Sequence, residues 1–268
     1  MHPESAAVGL IIVAAGSGSR LGADVPKAFV PLAGVPLLGH ALRGALACPD
    51  VVEIVVVAPA GWVDEADSVC RWARSQPRVA SSSGPGIHTP GSPDSSSGPG
   101  LHSGEVSEAV DTGATRVEMR VVAGGAERGD SVAAGLAALS GEVGVVLVHD
   151  AARCLAPGSL FDRVVAAVQA GAPAVVPGLP VVDTIKEVDE SGHVVGTPDR
   201  TRLRAVQTPQ GFQRDVLERA HAVSSDATDD AGLVERLGER VLVVDGDALA
   251  LKVTTPGDLE TAARILAG

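Results

Sequence analysis

The sequence predicts an α/β fold, a wound and mostly parallel sheet with a projecting β-hairpin arm. Short Val-rich apolar runs alternate with helix-compatible stretches, and after Pro180 the apolar pattern switches to a period of two. The runs are Val8 to Ala14, Val51 to Ala58, Met119 to Val122, Val143 to Val148 and Ala174 to Val176. Short Val-rich runs of this kind read as buried parallel strands rather than half-exposed ones. The stretches between them, Pro36 to Ala47, Trp62 to Arg74, Ser131 to Leu139 and Ser159 to Ala170, read as the crossover helices of a wound sheet. Next, VVDTIKEVDESGHVVGTPDRTRLRAVQTPQGF carries two alternating runs around Glu190-Ser191-Gly192. That pattern predicts a hairpin leaving the main sheet between Val181 and Gln207. The final VLVVDGDALALKVTTPGDLETAARIL reads as a strand, a loop, a short strand and a helix opening near Pro256.

A chain of 268 residues fits one domain, residues 1–268. Within it, SSSGPGIH from Ser81 recurs as SSSGPGLH from Ser95. So much Ser, Gly and Pro cannot bury enough surface to offset its ordering entropy, and 81–104 is expected to be a disordered surface insertion.

Composition narrows the function. The formal net charge is −12. It argues against a nucleic-acid partner, which needs surplus Lys and Arg, and it would repel a free nucleoside triphosphate. A phosphate site in this chain therefore needs a local basic cluster and a divalent cation. With aromatics at 2% and no Tyr, stacking platforms for bases are not expected. Cys48, Cys70 and Cys154 lack metal-ligand spacing and read as reduced thiols. No apolar run approaches the ~20 residues of a membrane helix, and the N-terminal stretch lacks a basic region before its apolar run. A cytoplasmic protein without a membrane partner is the expectation.

The stretch AAGSGSRLGADVPKAFVPLAG, Ala14 to Gly34, follows the first strand directly. Glycines at a strand end let backbone amides approach a phosphate, and Arg20 and Lys27 add positive charge. The stretch is not a dinucleotide fingerprint, because Leu21 stands where the third glycine would be, and it has no Gly-Lys-Ser/Thr of a Walker loop. A Gly-rich turn with two solvated charges is the plainer reading of Gly-x-Gly alone.

The longer pattern resembles the signature of sugar-nucleotide pyrophosphorylases and related nucleotidyltransferases. Four further motifs, GGAERGDSVAAGL (Gly124 to Leu136), VHDAAR (Val148 to Arg153), AVQTPQGF (Ala205 to Phe212) and LKVTTPGDL (Leu251 to Leu259), with DTIKEV (Asp183 to Val188), narrow the resemblance. In this order they are similar to the 2-C-methyl-D-erythritol 4-phosphate cytidylyltransferases of non-mevalonate isoprenoid synthesis. The resemblance implies a Rossmann-like sheet of the nucleotidyltransferase type, CTP and a polyol phosphate as substrates, Mg²⁺ as cofactor, and a homodimer. It implies that Ala14, Ala15, Gly16, Gly18, Arg20 and Lys27 surround the triphosphate, with Arg20 and Lys27 stabilising the transition state. Gly125 and Ser131 would contact cytosine and ribose, Ala151 would line the nucleotide site and Asp150 would hold Mg²⁺. Asp183, Thr184, Arg200, Thr208 and Lys252 would hold the acceptor, partly across the dimer interface, with Arg200 and Lys252 facing its phosphate. Ala28, Ala126 and Ala250 depart from residues that relatives often carry there.

Plainer readings stand beside these. Ser131 could cap the helix that follows it, Asp150 could cap a helix and pair with Arg153, and Arg200 could be an ordinary surface charge. His149 precedes Asp150 on a strand, so it is expected to point to the opposite face and to be structural. The rivals in function are a cytidylyltransferase for another polyol phosphate, such as ribitol 5-phosphate, and a non-catalytic nucleotide-binding protein.

Overall fold

The computed structural model describes residues 6–16, 21–22, 24–77, 117–223 and 228–268. Gly18, Arg20 and the insertion 81–104 lie outside the described residues. In chain order, β1 (Ala7–Val13) is followed by the short pair β2 (Pro31–Leu32) and β3 (Val35–Pro36). Then come α1 (Leu37–Leu46), β4 (Val51–Ala58), α2 (Val63–Ser75), β5 (Glu118–Ala123), α3 (Arg128–Ala138), β6 (Val143–Asp150), α4 (Gly158–Gln169) and β7 (Ala174–Pro180). The arm holds β8 (Glu187–Val188) and β9 (Val194–Gly196), and β10 (Arg204–Val206) and β11 (Gln210–Gln213) follow it. Helices α5 (Arg214–Val223) and α6 (Asp230–Arg236), β12 (Val241–Asp245) and α7 (Pro256–Ala267) complete the chain.

An eight-stranded sheet runs in the order β10-β7-β11-β6-β1-β4-β5, with β12 pairing β7. The β6–β1–β4–β5 ladder and the β12–β7 pair are parallel, while β10 and β11 run antiparallel to β7. The pleat sorts the Val-rich runs by parity. Leu10, Ile12, Ile54, Val56 and Leu147 pack with Leu38, Leu42, Phe161 and Val164 on one face. Ile11, Val55, Val57, Val146 and Val148 pack with Val132, Leu136, Phe212 and Val216 on the other. Each fully buried Ile, Leu or Val contributes about 1.5–3 kcal/mol against exposure. This double burial is why β1 and most of β4 and β6 read as apolar runs. Glu53 interrupts β4, where its buried carboxylate meets Arg120 at 3.0 Å, and β5, expected to be buried, is instead a half-exposed edge strand.

Three features correct the sequence reading. The third crossover helix begins at Arg128, three residues before Ser131, because Glu127 and Asp130 form a capping box there. The expected short strand after β12 is absent from the described ladders; Ala248–Ala250 forms a 3-10 turn, and the segment after it bonds the sheet through Val253 N–H to the Ala152 carbonyl at 2.9 Å. Gln210 to Phe212, the end of the stretch with alternating runs, belongs to β11, which lies between β6 and β7. The hairpin itself is present but shorter than the expected 181–207: β8 pairs with β9, and Gly192 turns the chain between them with φ of 82°, whereas Arg204–Val206 pairs with β7 in the main sheet.

Candidate active site

β1 and β6 are neighbours whose onward connections leave in opposite directions, to β4 on one side and to β7 on the other. Open α/β sheets bind ligands in the crevice this creates at the carboxyl ends of the strands. Two backbone bonds shape its floor: Ala14 N–H donates to the Val57 carbonyl at 2.8 Å, and Ala151 N–H donates to that of Val13 at 3.1 Å. From the β5 side, Gly124 closes the wall. A Cβ there would lie 2.7 Å from Ser131 Oγ and 2.8 Å from Ala15 Cβ, so only glycine lets this connection touch both.

The crevice is a cavity of about 400 Å³. Ala14, Ala15, Gly16, Lys27, Gly125, Ser131, Asp150, Ala151 and Lys252, all singled out from sequence, line it together with Arg128 and Thr254. Lys27 opens a short 3-10 turn anchored by buried Ala28 and Phe29, and Phe29 packs on Trp62 with ring centroids 4.7 Å apart. Ser131 is not the helix cap; its buried hydroxyl donates to the Glu127 carbonyl at 3.2 Å from within α3. Of the three departures from the family pattern, Ala28 and Ala126 line the cavity. Ala250 is buried and acts through its carbonyl, which accepts from Arg153 at 2.8 Å.

Asp150 sits at the centre. Its carboxylate lies 2.7 Å from Lys252 Nζ and 3.5 Å from Arg128 Nε. Burial works to raise its pKa, but the charges of Arg128 and Lys252 and the Lys252 hydrogen bond outweigh burial and bring it down to about 2. The pairing with Arg153 does not form; that guanidinium donates to the carbonyls of Ala250 and Val206. His149 behaves as its strand position implies, fully buried against Phe161, its pKa lowered to about 4 chiefly by desolvation.

Asp150 and Glu127 are the carboxylates on the cavity lining among the described residues, and the Glu127 side chain is engaged in capping α3. No cluster of three His, Cys, Asp or Glu side chains suited to a metal occurs among them. A divalent cation here would have one protein carboxylate, Asp150, and would complete its shell from phosphate oxygens and water, the usual arrangement for Mg²⁺.

The acceptor residues are dispersed. Asp183, Thr184 and Arg200 are exposed on the arm, outside the cavity of their own chain, and Arg200 donates to the Val182 carbonyl. Thr208 is buried beneath the floor; its Oγ1 accepts from Asp150 N–H at 3.0 Å and lies 3.0 Å from His149 Nδ1. Two charged residues escaped the sequence reading. Arg128 lines the cavity and pairs at 2.7 Å with Asp230, which is buried outside it. The signals were an Arg inside the quoted motif GGAERGDSVAAGL, whose glycines and serine alone were singled out, and an Asp-Asp pair at the start of a helix.

Comparison with known proteins shows the family. The family model described as 2-C-methyl-D-erythritol 4-phosphate cytidylyltransferase matches residues 8–75 and 102–268. A protein of that name from Nocardia farcinica is 48% identical over 256 residues, 96% of this chain and 92% of the relative. One from Saccharopolyspora erythraea is 47% identical over 261 residues, 96% of this chain and 98% of the relative. The crystal structure of the Thermus thermophilus protein of that name superposes with a TM-score of 0.65 at 30% identity, covering 97% of this chain and 98% of the other.

Proposed function

The chain belongs to the 2-C-methyl-D-erythritol 4-phosphate cytidylyltransferase family, and from that premise we infer how its residues transfer the cytidylyl group of CTP to 2-C-methyl-D-erythritol 4-phosphate. The products are 4-diphosphocytidyl-2-C-methyl-D-erythritol and pyrophosphate, in isoprenoid precursor synthesis. The observation that carries the assignment of roles is the convergence of Lys27, Arg128 and Lys252 on a cavity whose centre is the ionised Asp150. In a protein of net charge −12 these three residues give the crevice a local basic cluster.

In the reaction, an unesterified oxygen of the acceptor phosphate bonds to the α-phosphorus of CTP as the bond to the α,β-bridging oxygen breaks. Pyrophosphate leaves with that electron pair. The attacking oxygen is already ionised near neutral pH, so no general base is needed. Negative charge grows on the equatorial and leaving oxygens, and positioned cations are the main means of lowering the barrier. Lys27 and Arg20 serve this role. Ala15 and Gly16 bring backbone amides to the phosphates beside Ala14, whose own amide is bonded to Val57; Gly125 and Ser131 face the nucleoside, and Ala151 closes the floor. Lys252 binds the acceptor phosphate. Mg²⁺ held by Asp150 would neutralise part of the triphosphate charge; an acid ionised down to about pH 2 suits that task.

Asp183, Thr184 and Arg200 are too far along the arm to complete the cavity of their own chain, so this reading has the arm of a second copy bring them to it. A homodimer is supported by apolar side chains that the arm leaves in solvent, Val182 at 77% and Val195 at 60% exposure among them. Thr208 contributes by fixing the backbone of Asp150. The cytoplasm suits an enzyme whose three cysteines are free and buried; among the described residues no helix is long and apolar enough to cross a membrane.

The test supplies CTP, Mg²⁺ and a panel of polyol phosphates and measures pyrophosphate release. Release is expected with 2-C-methyl-D-erythritol 4-phosphate and is lost in excess chelator. Equal turnover with ribitol 5-phosphate, or full activity in chelator, contradicts the assignment.

A further inference from the structure

We propose that Asp230 is a positioning residue for the cavity arginine Arg128, and that His221 holds Asp230 in place from behind. Asp230 opens α6 and is 1% exposed. One carboxylate oxygen accepts from Arg128 Nη1 at 2.7 Å, and the other lies 3.1 Å from His221 Nε2 in the last turn of α5. Capping does not explain an acid here. The preceding Asp229 already caps α6, accepting from Gly232 N–H at 3.0 Å, and is itself held by Gln210 at 2.7 Å. A carboxylate with no capping task and almost no solvent is retained at the cost of its desolvation.

The geometry supplies the missing task. Arg128 opens α3 on the cavity lining, between two carboxylates, with Nη1 on Asp230 and Nε 3.5 Å from Asp150 Oδ1. An arginine side chain has many rotamers, and a guanidinium fixed along one edge presents its remaining donors in one direction. Without Asp230, Asp150 would be the nearest anion and would draw the guanidinium to itself, taking up the carboxylate that the metal needs and withdrawing donors from the phosphates. Asp230 thus divides the charge of Arg128. His221, itself nearly buried, orients the acid so that one oxygen faces Arg128.

The proposal rests on the cavity being the nucleotide site, and the variants separate the two ideas. CTP binding is measured by equilibrium dialysis without acceptor, beside the KM values for both substrates. Arg128→Ala should weaken CTP binding by about tenfold or more, the scale of losing a charge-assisted contact, with the acceptor KM near wild type. Asp230→Asn should reproduce most of that loss, and adding it to Arg128→Ala should produce no further change. His221→Leu should weaken CTP binding and His221→Gln, which can still donate to Asp230, should restore it. If Asp230→Asn does not fold, the two His221 variants decide the matter, and equal CTP binding by them overturns the proposal. Wild-type CTP binding by Arg128→Ala overturns the nucleotide reading of this end of the cavity. A weakened Arg128→Ala beside an unaffected Asp230→Asn, or full additivity of the two, overturns the positioning role alone.

Discussion

Lys252 Nζ lies 2.7 Å from Asp150 Oδ2, so the cation expected to meet the acceptor phosphate also grips the carboxylate expected to hold the metal. The two substrates' machinery therefore meets at one acid. Its depressed pKa links this contact to stability. A folded-state pKa of about 2, against about 4 for an ordinary carboxylate, means that the ionised Asp150 stabilises the fold above about pH 4 and that this contribution is lost as pH falls towards 2. The contribution is on the order of 2 kcal/mol. Denaturant titrations between pH 5 and 2.5 should show Asp150→Asn with a flatter dependence than wild type. Parallel curves would mean that the pair does not depress the pKa.

Thr208 Oγ1 is the acceptor for Asp150 N–H within a buried corner that it shares with His149. Thr208→Val keeps the volume and removes that acceptor, so thermal unfolding should show a loss of about 1–3 kcal/mol, the cost of an unsatisfied buried donor. Thr208→Ser should restore most of it. If the Val variant matches wild type, another group satisfies the Asp150 amide.

Gly135 brings α3 against the sheet: a Cβ there would lie 2.5 Å from Ile11 Cγ2 and 3.0 Å from Val57 Cγ2. Gly135→Ala should destabilise by about 1–3 kcal/mol through overpacking and should weaken CTP binding, because α3 carries Arg128 and Ser131. Calorimetry together with CTP dialysis checks both effects. A stable variant with normal binding would show that α3 can retreat without disturbing the cavity.

The arm prediction addresses assembly. Val182→Asp combined with Val195→Asp places charges on side chains that are already in solvent within one chain. Folding of the subunit should survive, while sedimentation shifts towards monomer and the acceptor KM rises by about tenfold or more with CTP binding preserved. A wild-type enzyme that is active as a monomer would remove the shared-site reading.

The central sheet was legible because both of its faces are buried, which writes Val8 to Ala14, Val143 to Val148 and, but for the buried Glu53, Val51 to Ala58 as apolar runs. β11 was not, since Gln210, Gly211 and Gln213 carry no such run. Its place depends on Gly211, where a Cβ would come within 2.5 Å of Val164 Cγ1. The short strand expected before the last helix is not formed; the segment meets Ala152, just beyond β6, through one backbone bond from Val253 rather than along a sheet edge. In the site, Gly16, Lys27, Asp150 and Lys252 were legible because each belongs to a local motif. Arg128 with Asp230 was not, because the pair joins helix starts 102 residues apart in sequence and exists only once α3 and α6 have packed.

The claim that this cavity is where pyrophosphate is expelled is tested most directly by the turnover of Lys27→Ala at saturating CTP and acceptor, with thermal unfolding as the control. Lys27 is half-buried on the cavity lining, and in the proposed role it would face charge that grows as pyrophosphate leaves. The variant should unfold at the wild-type temperature and turn over roughly 10² times more slowly or worse, the scale of losing one preorganised donor. Near-normal turnover by a folded Lys27→Ala enzyme would contradict the account.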